Sequence, residues 1–380
     1  MQLSQAKKTL LALAGVAAAL GCVRVAASAD DPPALPTPIG VNGVLSVGTI
    51  STSGVNAVGS LDRASGIDEA LRTNLTNALI TLSKPQGALR FGATVGAYDL
   101  PVVGMAGNPT VVKGANTNLF GAAPSWYVEY APSAAFNVSA GQQLALIGPE
   151  STFTYQNVNI QRGLLWNMEP VASRGIRATW AAGRWNSSLE YNDGFYSGDR
   201  GAVEGLVGYN TSAATNLSFA FILPDAGTPG NLTSAVANKR EYNVMLTTAV
   251  GRWSLSPYLL FVDSPSSGAL GYAKDERAAG GALLGAYAFN GAWSLGARVE
   301  YVKNSSDAAD KSPNADLIGY GPGSTAWSYT LTPTYRRGKA FFRAEASSVS
   351  VGHLTPGIGF GSAGMQSSQF RGALEAGIQF

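Results

Sequence analysis

The C-terminal segment constrains this chain more than any other stretch. Counting back from the end, Phe380, Ile378, Ala376, Leu374, Gly372 and Phe370 fall on one side of an extended chain. Gln379, Gly377, Glu375, Ala373, Arg371 and Gln369 fall on the other. A period of two predicts a strand, here with one apolar face and one polar or charged face. The pattern recurs upstream. Leu295, Ala297, Val299 and Tyr301 alternate with Gly296, Arg298 and Glu300, and Trp327, Tyr329 and Leu331 alternate with Ser328, Thr330 and Thr332. Trp185, Ser187, Leu189 and Tyr191 behave likewise, as do Leu217, Phe219, Phe221 and Leu223.

A soluble sandwich also alternates, so composition has to separate the cases. Charged residues are 13% of the chain, about half the ~25% of an ordinary soluble domain, while hydrophobic residues keep an ordinary 46%. Glycine reaches 46 of 380 residues. The polar faces are built from small residues with isolated charges of both signs. Trp126, Tyr130, Trp180, Trp185, Tyr191, Trp253, Tyr258, Trp293, Tyr301, Trp327 and Tyr335 stand near segment ends, as in aromatic girdles at bilayer interfaces. Abundant apolar and aromatic residues exclude disorder. A net charge of +2 without a basic run argues against nucleic acid. One histidine and one cysteine leave little for a metal centre.

The N-terminus predicts an export signal over residues 1–29. Lys7 and Lys8 precede an apolar run from Leu10 to Val23, and Ala27-Ser28-Ala29 forms an A-x-A cleavage site before Asp30. Arg24 stops the run short of the roughly 20 residues a spanning helix needs. Cys22 only loosely fits a lipoprotein box. Cleavage removes Lys7, Lys8 and Arg24 and no acid, leaving 23 basic against 24 acidic residues, net −1, and no cysteine. An exported chain without disulfides needs an architecture that does without them. Residues 30–39 are a Pro-rich, extended periplasmic lead-in, and residues 40–380 carry the strands.

The connections alternate in length. Short links fall near Lys84–Gly87, Ala131–Ala134, Ala182–Arg184, Asn210–Ala213, Val250–Arg252, Phe289–Gly291 and Arg336–Gly338. Long ones lie between them, including Ser53–Gly66, Pro101–Thr117, Gly148–Pro170 and Lys303–Gly323. Seven short and eight long links predict about 16 strands. The expected fold is all-β: a transmembrane antiparallel up-and-down β-barrel with short periplasmic turns and long extracellular loops, wide enough for water. The weakest strand is Asp68–Leu82, where Leu71, Leu75, Leu79 and Leu82 also fit a helical stripe; 14 or 18 strands therefore stay open. A terminal Phe380 on the lipid-facing register is the expected assembly signal, a strand edge with which the barrel-assembly machinery can pair.

One stretch goes beyond pattern. Ser125-Trp126-Tyr127-Val128-Glu129-Tyr130 runs on through Phe136–Gly141, then Leu146-Ile147-Gly148-Pro149-Glu150 and Tyr155-Gln156-Asn157. Gln161-Arg162-Gly163-Leu164-Leu165, Glu169-Pro170 and Gly175-Ile176-Arg177-Ala178 complete it. This resembles the OmpL-like β-barrel porins of Gram-negative outer membranes, over roughly residues 125–180. Gln142-Gln143 and Pro149 depart from the family's usual residues at those positions. The resemblance implies passive diffusion of small solutes and names no substrate.

Gly148–Pro170 is the third long loop, which in porins of this size commonly folds into the lumen. Glu150, Arg162, Glu169 and the adjacent Arg174 are the candidate constriction residues, because opposed charges across a narrow pore give a transverse field and ion selectivity. A solvated surface loop is the plainer reading. Strand parity puts Arg90, Glu129, Arg177, Glu190, Arg298, Glu300, Arg343, Glu345, Arg371 and Glu375 on the lumen side. On the lipid side Arg or Lys would cost about 2–4 kcal/mol each at mid-bilayer.

Catalysis finds little support. The single His353 lies in the last loop within Val351-Gly352-His353-Leu354-Thr355-Pro356, without a nucleophile motif. Asp307 with Asp310, or Asp193 with Asp199, match no Ca²⁺-loop pattern. Gly357-Ile358-Gly359-Phe360-Gly361 lacks a strand-to-helix context for nucleotides. No cofactor or metal is expected. Expected contacts are outer-membrane lipid, lipopolysaccharide, the assembly machinery and small solutes. Monomer and homotrimer both stay open. The competing reading is a surface receptor or adhesin with a plugged lumen, using its long loops.

Overall fold

A computed structural model describes residues 39–55, 70–105, 120–199, 201–225 and 239–380, together with the backbone of 111–112 and 115–116. The export signal and most of the lead-in lie outside the described residues. In chain order the strands are β1 (Gly40–Thr52), β2 (Leu71–Lys84), β3 (Leu89–Tyr98), the two-residue β4 (Val111–Val112) and β5 (Ala115–Asn116), and β6 (Ser125–Tyr130). Then come β7 (Phe136–Leu144), β8 (Ala172–Ala182), β9 (Trp185–Asn192), β10 (Ala202–Ser212), β11 (Thr215–Pro224) and β12 (Arg240–Val250). The last are β13 (Trp253–Ser264), β14 (Glu276–Ala288), β15 (Trp293–Asn304), β16 (Thr325–Arg337), β17 (Ala340–Gly352) and β18 (Ser368–Gln379).

All except β4 and β5, which pair with each other, form one closed antiparallel barrel of 16 strands in which each strand pairs with its neighbours in the chain. Closure joins the two ends of the chain. Leu45 stands opposite Ile378, and Gly43 and Phe380 exchange both backbone hydrogen bonds, at 2.7 and 2.9 Å. The Phe380 ring lies over Gly43, on the outer face, where a Cβ would meet the ring tip at 2.3 Å and push it aside. Links such as 183–184 and 213–214 make up one rim, and loops such as 99–124 and 145–171 make up the other.

β2 is a strand, and a β-bulge explains its helix-like leucines. The pairing with β1 steps from Ser46↔Asn77 to Val47↔Leu75, leaving Thr76 without a partner across the strand. The extra residue shifts the side-chain phase. Leu71 and Leu82 face outward and are exposed, whereas Leu79 is buried inside. A stripe spaced by four is thus two half-strands of period two joined out of phase.

The outer wall is apolar. Leu189, Leu217, Leu259, Leu331 and Leu374 are all about half exposed, a band that would be untenable in water. Cross-strand aromatic pairs edge the short-turn rim: Trp185–Tyr209 and Trp253–Tyr287 with ring centroids 4.7 Å apart, and Trp293–Tyr335 at 4.9 Å. Tyr301–Trp327, at 4.8 Å, lies toward the loop side. Tyr258 departs from the expected girdle. It is buried inside the barrel, because Pro257 and Leu259 take the outward positions of β13.

Candidate functional site: the loop-filled lumen

The chain from Ile147 to Ala172 is almost entirely buried, inside the barrel. Two kinds of wall hold it. On β11, β13, β14 and β15 the inward residues Ala220, Ile222, Leu260, Val262, Leu284 and Val302 are apolar and pack with Ile147, Leu164, Leu165 and Met168 of the loop. This differs from the uniformly polar inner face the strand pattern predicts. The cause is that these strands bury both faces, one against lipid and one against the loop. The unalternating run Tyr258-Leu259-Leu260-Phe261-Val262 carries that signal in the sequence.

The adjoining wall, β15 to β18, is charged, and its charges grip the loop backbone. The Glu300 carboxylate accepts the N–H groups of Leu164 and Leu165, at 3.0 and 3.4 Å. Glu345 accepts from Ile160 and Gln161, at 2.5 and 3.1 Å. Arg343 donates to the carbonyls of Thr154, Asn157 and Val158 at 2.8–2.9 Å, and Glu375 accepts from the Thr154 hydroxyl at 2.6 Å. Charge-assisted hydrogen bonds to backbone are among the strongest a wall can offer a loop. Two glycines allow the close approach. A Cβ at Gly163 would sit 1.9 Å from the Glu300 carboxylate. One at Gly148, whose φ is +78°, would sit 2.0 Å from that of Glu169.

Glu150, Arg162 and Glu169 come together in this interior. Arg298 bridges Glu150 (2.6 Å) and Glu300 (3.1 Å), all three side chains being fully buried. Arg162, with no exposure, donates Nε–H to the Ser151 carbonyl at 3.2 Å and stacks 5.1 Å over the Trp166 ring. Burial pulls its guanidinium down to about 10, against the neighbouring Glu150 and Asp99. Burial pushes the Glu150 carboxyl up, with Arg298 opposing. It pushes Glu169 much further, and the nearby Glu241 adds to the shift. Arg174 does not join them: its Nε–H goes to Asp193 at 2.7 Å and its guanidinium lies 4.3 Å over Tyr196.

The ten wall residues all fall on the inward register. Arg298, Glu300, Arg343, Glu345, Arg371 and Glu375 hold loops, and Arg177 pairs with Glu190 at 2.6 Å. Arg90 and Glu129 pair at 3.0 Å near the short-turn rim. Sequence reasoning missed a second inserted segment, residues 99–105. Val102 forms a parallel bridge with Arg162, and Arg371 donates to the carbonyls of Val102 (2.8 Å) and Met105 (2.6 Å). Tyr320, from the loop before β16, donates to the Gly104 carbonyl at 3.3 Å. Val103, Leu164, Leu317, Ile318 and Phe360 bring four loops into one apolar cluster. Two conspicuous polar groups in this interior are Lys239, which donates to the Met168 carbonyl at 2.9 Å, and Glu241, 3.7 Å from Lys239. Both were outside the candidate set. Among the described residues, no group of three His, Cys, Asp or Glu side chains could hold a metal.

A search of curated protein sequences gave no match. Solved structures share the fold at low identity. The trimer form of OmpT from Vibrio cholerae superposes with a TM-score of 0.56 at 11% identity, covering 90% of this chain and 99% of that one. The outer membrane channel DcaP of Acinetobacter baumannii gives 0.57 at 11%, covering 90% and 97%. OmpF of Salmonella typhi gives 0.55 at 8%, covering 91% and 98%. The family model described as "Putative beta-barrel porin-2, OmpL-like" matches residues 38–380, so this 16-stranded chain belongs to that family of outer-membrane porin-like barrels.

Proposed function

We propose that the protein is a passive diffusion channel for small hydrophilic solutes or ions, with residues 145–171 as its filter and the buried Glu150, Arg162 and Glu169 as the groups that set the field along the solute path. The observation that carries this reading is the seating of that loop on wall charges, above all Arg298 between Glu150 and Glu300. Opposed charges fixed inside a barrel create a local field that sorts ions by sign. Export by residues 1–29 and recognition of the Phe380-ended β18 by assembly machinery belong to the same reading. The apolar cluster of Val103, Leu164, Leu317, Ile318 and Phe360 supports a second one, a plugged receptor whose loops bind a partner.

Single-channel recording of the refolded mature chain in asymmetric KCl decides between them. A pore gives discrete steps, and Glu169→Gln shifts the reversal potential. Silence from a folded, inserted barrel favours the receptor. The outward faces of β17, β18, β1 and β2 lack Trp and Tyr and carry Ala346, Ser348, Ser350, Thr49 and Thr73 instead. With the trimer form of OmpT as a structural relative, this is our candidate face for a second copy of the chain.

A further inference from the structure

Four charged residues stand where a barrel facing only hydrocarbon would not have them. Arg240, Asp263 and Arg277 form one cross-strand row at the long-loop ends of β12, β13 and β14. Their parity is outward, shared with Tyr242, Phe261 and Ala279 in the next outward row toward the membrane and with Leu259 beyond it. Lys303 of β15 pairs with Ala279, diagonal to Arg277 and also outward and exposed. On this face an Arg or Lys costs about 2–4 kcal/mol at the bilayer midplane and about 0–1 near the interface. The row therefore sits at headgroup level, above the exposed Phe261 and the Tyr301–Trp327 pair.

The arrangement prepares the two guanidinium groups. Asp263 lies between them, 3.6 Å from Arg240 and 3.2 Å from Arg277, and holds one side of each. The rest stays open: the Arg240 side chain is 43% exposed and that of Arg277 72%. A guanidinium fork matches a phosphate in geometry as well as charge. Neighbouring charges are otherwise engaged. Lys274 is 3.0 Å from Asp310, and Asp275 accepts the Ser266 N–H at 2.7 Å. The long-loop rim faces the outer leaflet in an outer-membrane barrel.

We propose that Arg240, Arg277 and Lys303 bind the phosphates of a phosphorylated glycolipid in the outer leaflet, while the aromatic and aliphatic side chains below receive its acyl chains. Asp263 balances part of the arginines' charge until the phosphates arrive. The site does not depend on whether the lumen conducts.

The test is retention of diphosphoryl lipid A by the refolded mature barrel in detergent, read by native mass spectrometry. The parent retains it. Arg240→Gln with Arg277→Gln weakens retention about tenfold, the loss expected when roughly 1.4 kcal/mol of phosphate contact is removed. Fully dephosphorylated lipid A binds parent and variant alike, and inorganic phosphate does not displace the lipid. Arg174→Gln, in a cation already committed to Asp193 and Tyr196, leaves retention unchanged. Asp263→Asn frees both forks and keeps or strengthens retention, which a merely structural row would not do. If the double variant refolds poorly, Lys303→Gln alone still lowers retention. Equal retention by parent and double variant, or equal affinity of the parent for both lipids, overturns the proposal; displacement by inorganic phosphate overturns the choice of lipid.

Discussion

At the scale of single residues, the interior is a set of buried charges that tolerate little change. Arg298→Ala would leave Glu150 and Glu300 facing each other without their cation. Breaking a buried pair costs about 3–5 kcal/mol, so urea unfolding in detergent should show a loss of that size. Gly163 presents the opposite case, because what matters there is the missing side chain. Gly163→Val drives a branched side chain into the Glu300 carboxylate. The expected outcome is a barrel that still folds, judged by its heat-modifiable gel mobility, but whose residues 145–171 become open to limited proteolysis. Both residues lie in stretches the sequence singles out. So do their partners, but the sequence does not say which partner each one meets. Nothing in local spacing says that Glu300 meets Leu164, because the contact spans more than a hundred residues and depends on how a loop lies.

At the scale of elements, the inserted loop and the bulged strand each give a prediction. Burial, with Glu241 adding, holds the Glu169 carboxyl well above its ordinary 4.5. A group whose value is raised in the seated state stabilises that state below its unseated value. The contribution is lost as pH rises through the raised value. Acidification should therefore tighten residues 145–171, seen as slower proteolysis at pH 5 than at pH 8, and Glu169→Gln should flatten that profile. For β2, deleting Thr76 removes the bulge. Leu75, facing outward, then adjoins the inward Asn77 in an unbroken period of two, so Leu79 stays inward and Ile80 and Leu82 stay outward. The deletion should therefore keep the heat-modifiable folded form and lower stability only by the lost hydrogen bond between the Thr76 and Ser46 hydroxyls, which Thr76→Ser retains. The strand was readable only in part because its bulge mixes two phases, and period-counting assumes one.

At the scale of the whole molecule, the outer surface divides into unlike sectors. Trp and Tyr edge the wall from β6 round to β16, whereas the outward faces of β17, β18, β1 and β2 lack both and mix Phe342, Leu374 and Leu45 with small or hydroxyl residues such as Ala346, Ser348 and Thr49. If that second sector meets another copy of the chain, Ser348→Cys in a chain beginning at Asp30, which holds no other cysteine, should form intermolecular disulfides in membranes. Leu259→Cys, on the aromatic side, should not. No cross-link from Ser348→Cys under oxidising conditions would assign that sector to lipid.

What the sequence alone determined is the barrel: its antiparallel plan of about 16 strands, the alternation of short and long links, the inward register of Arg298 and Glu375 and the outward register of Phe380. These follow from a period of two, a local property that each strand states for itself. Only the tertiary structure decided how the lumen is filled. It showed that residues 99–105 enter beside residues 145–171, that β11, β13 and β14 turn apolar residues to the loop, and that Arg174 turns to Asp193. The reason is that a strand has two faces but a loop has no period. A loop's course is chosen by wall side chains that come from strands far away in the chain.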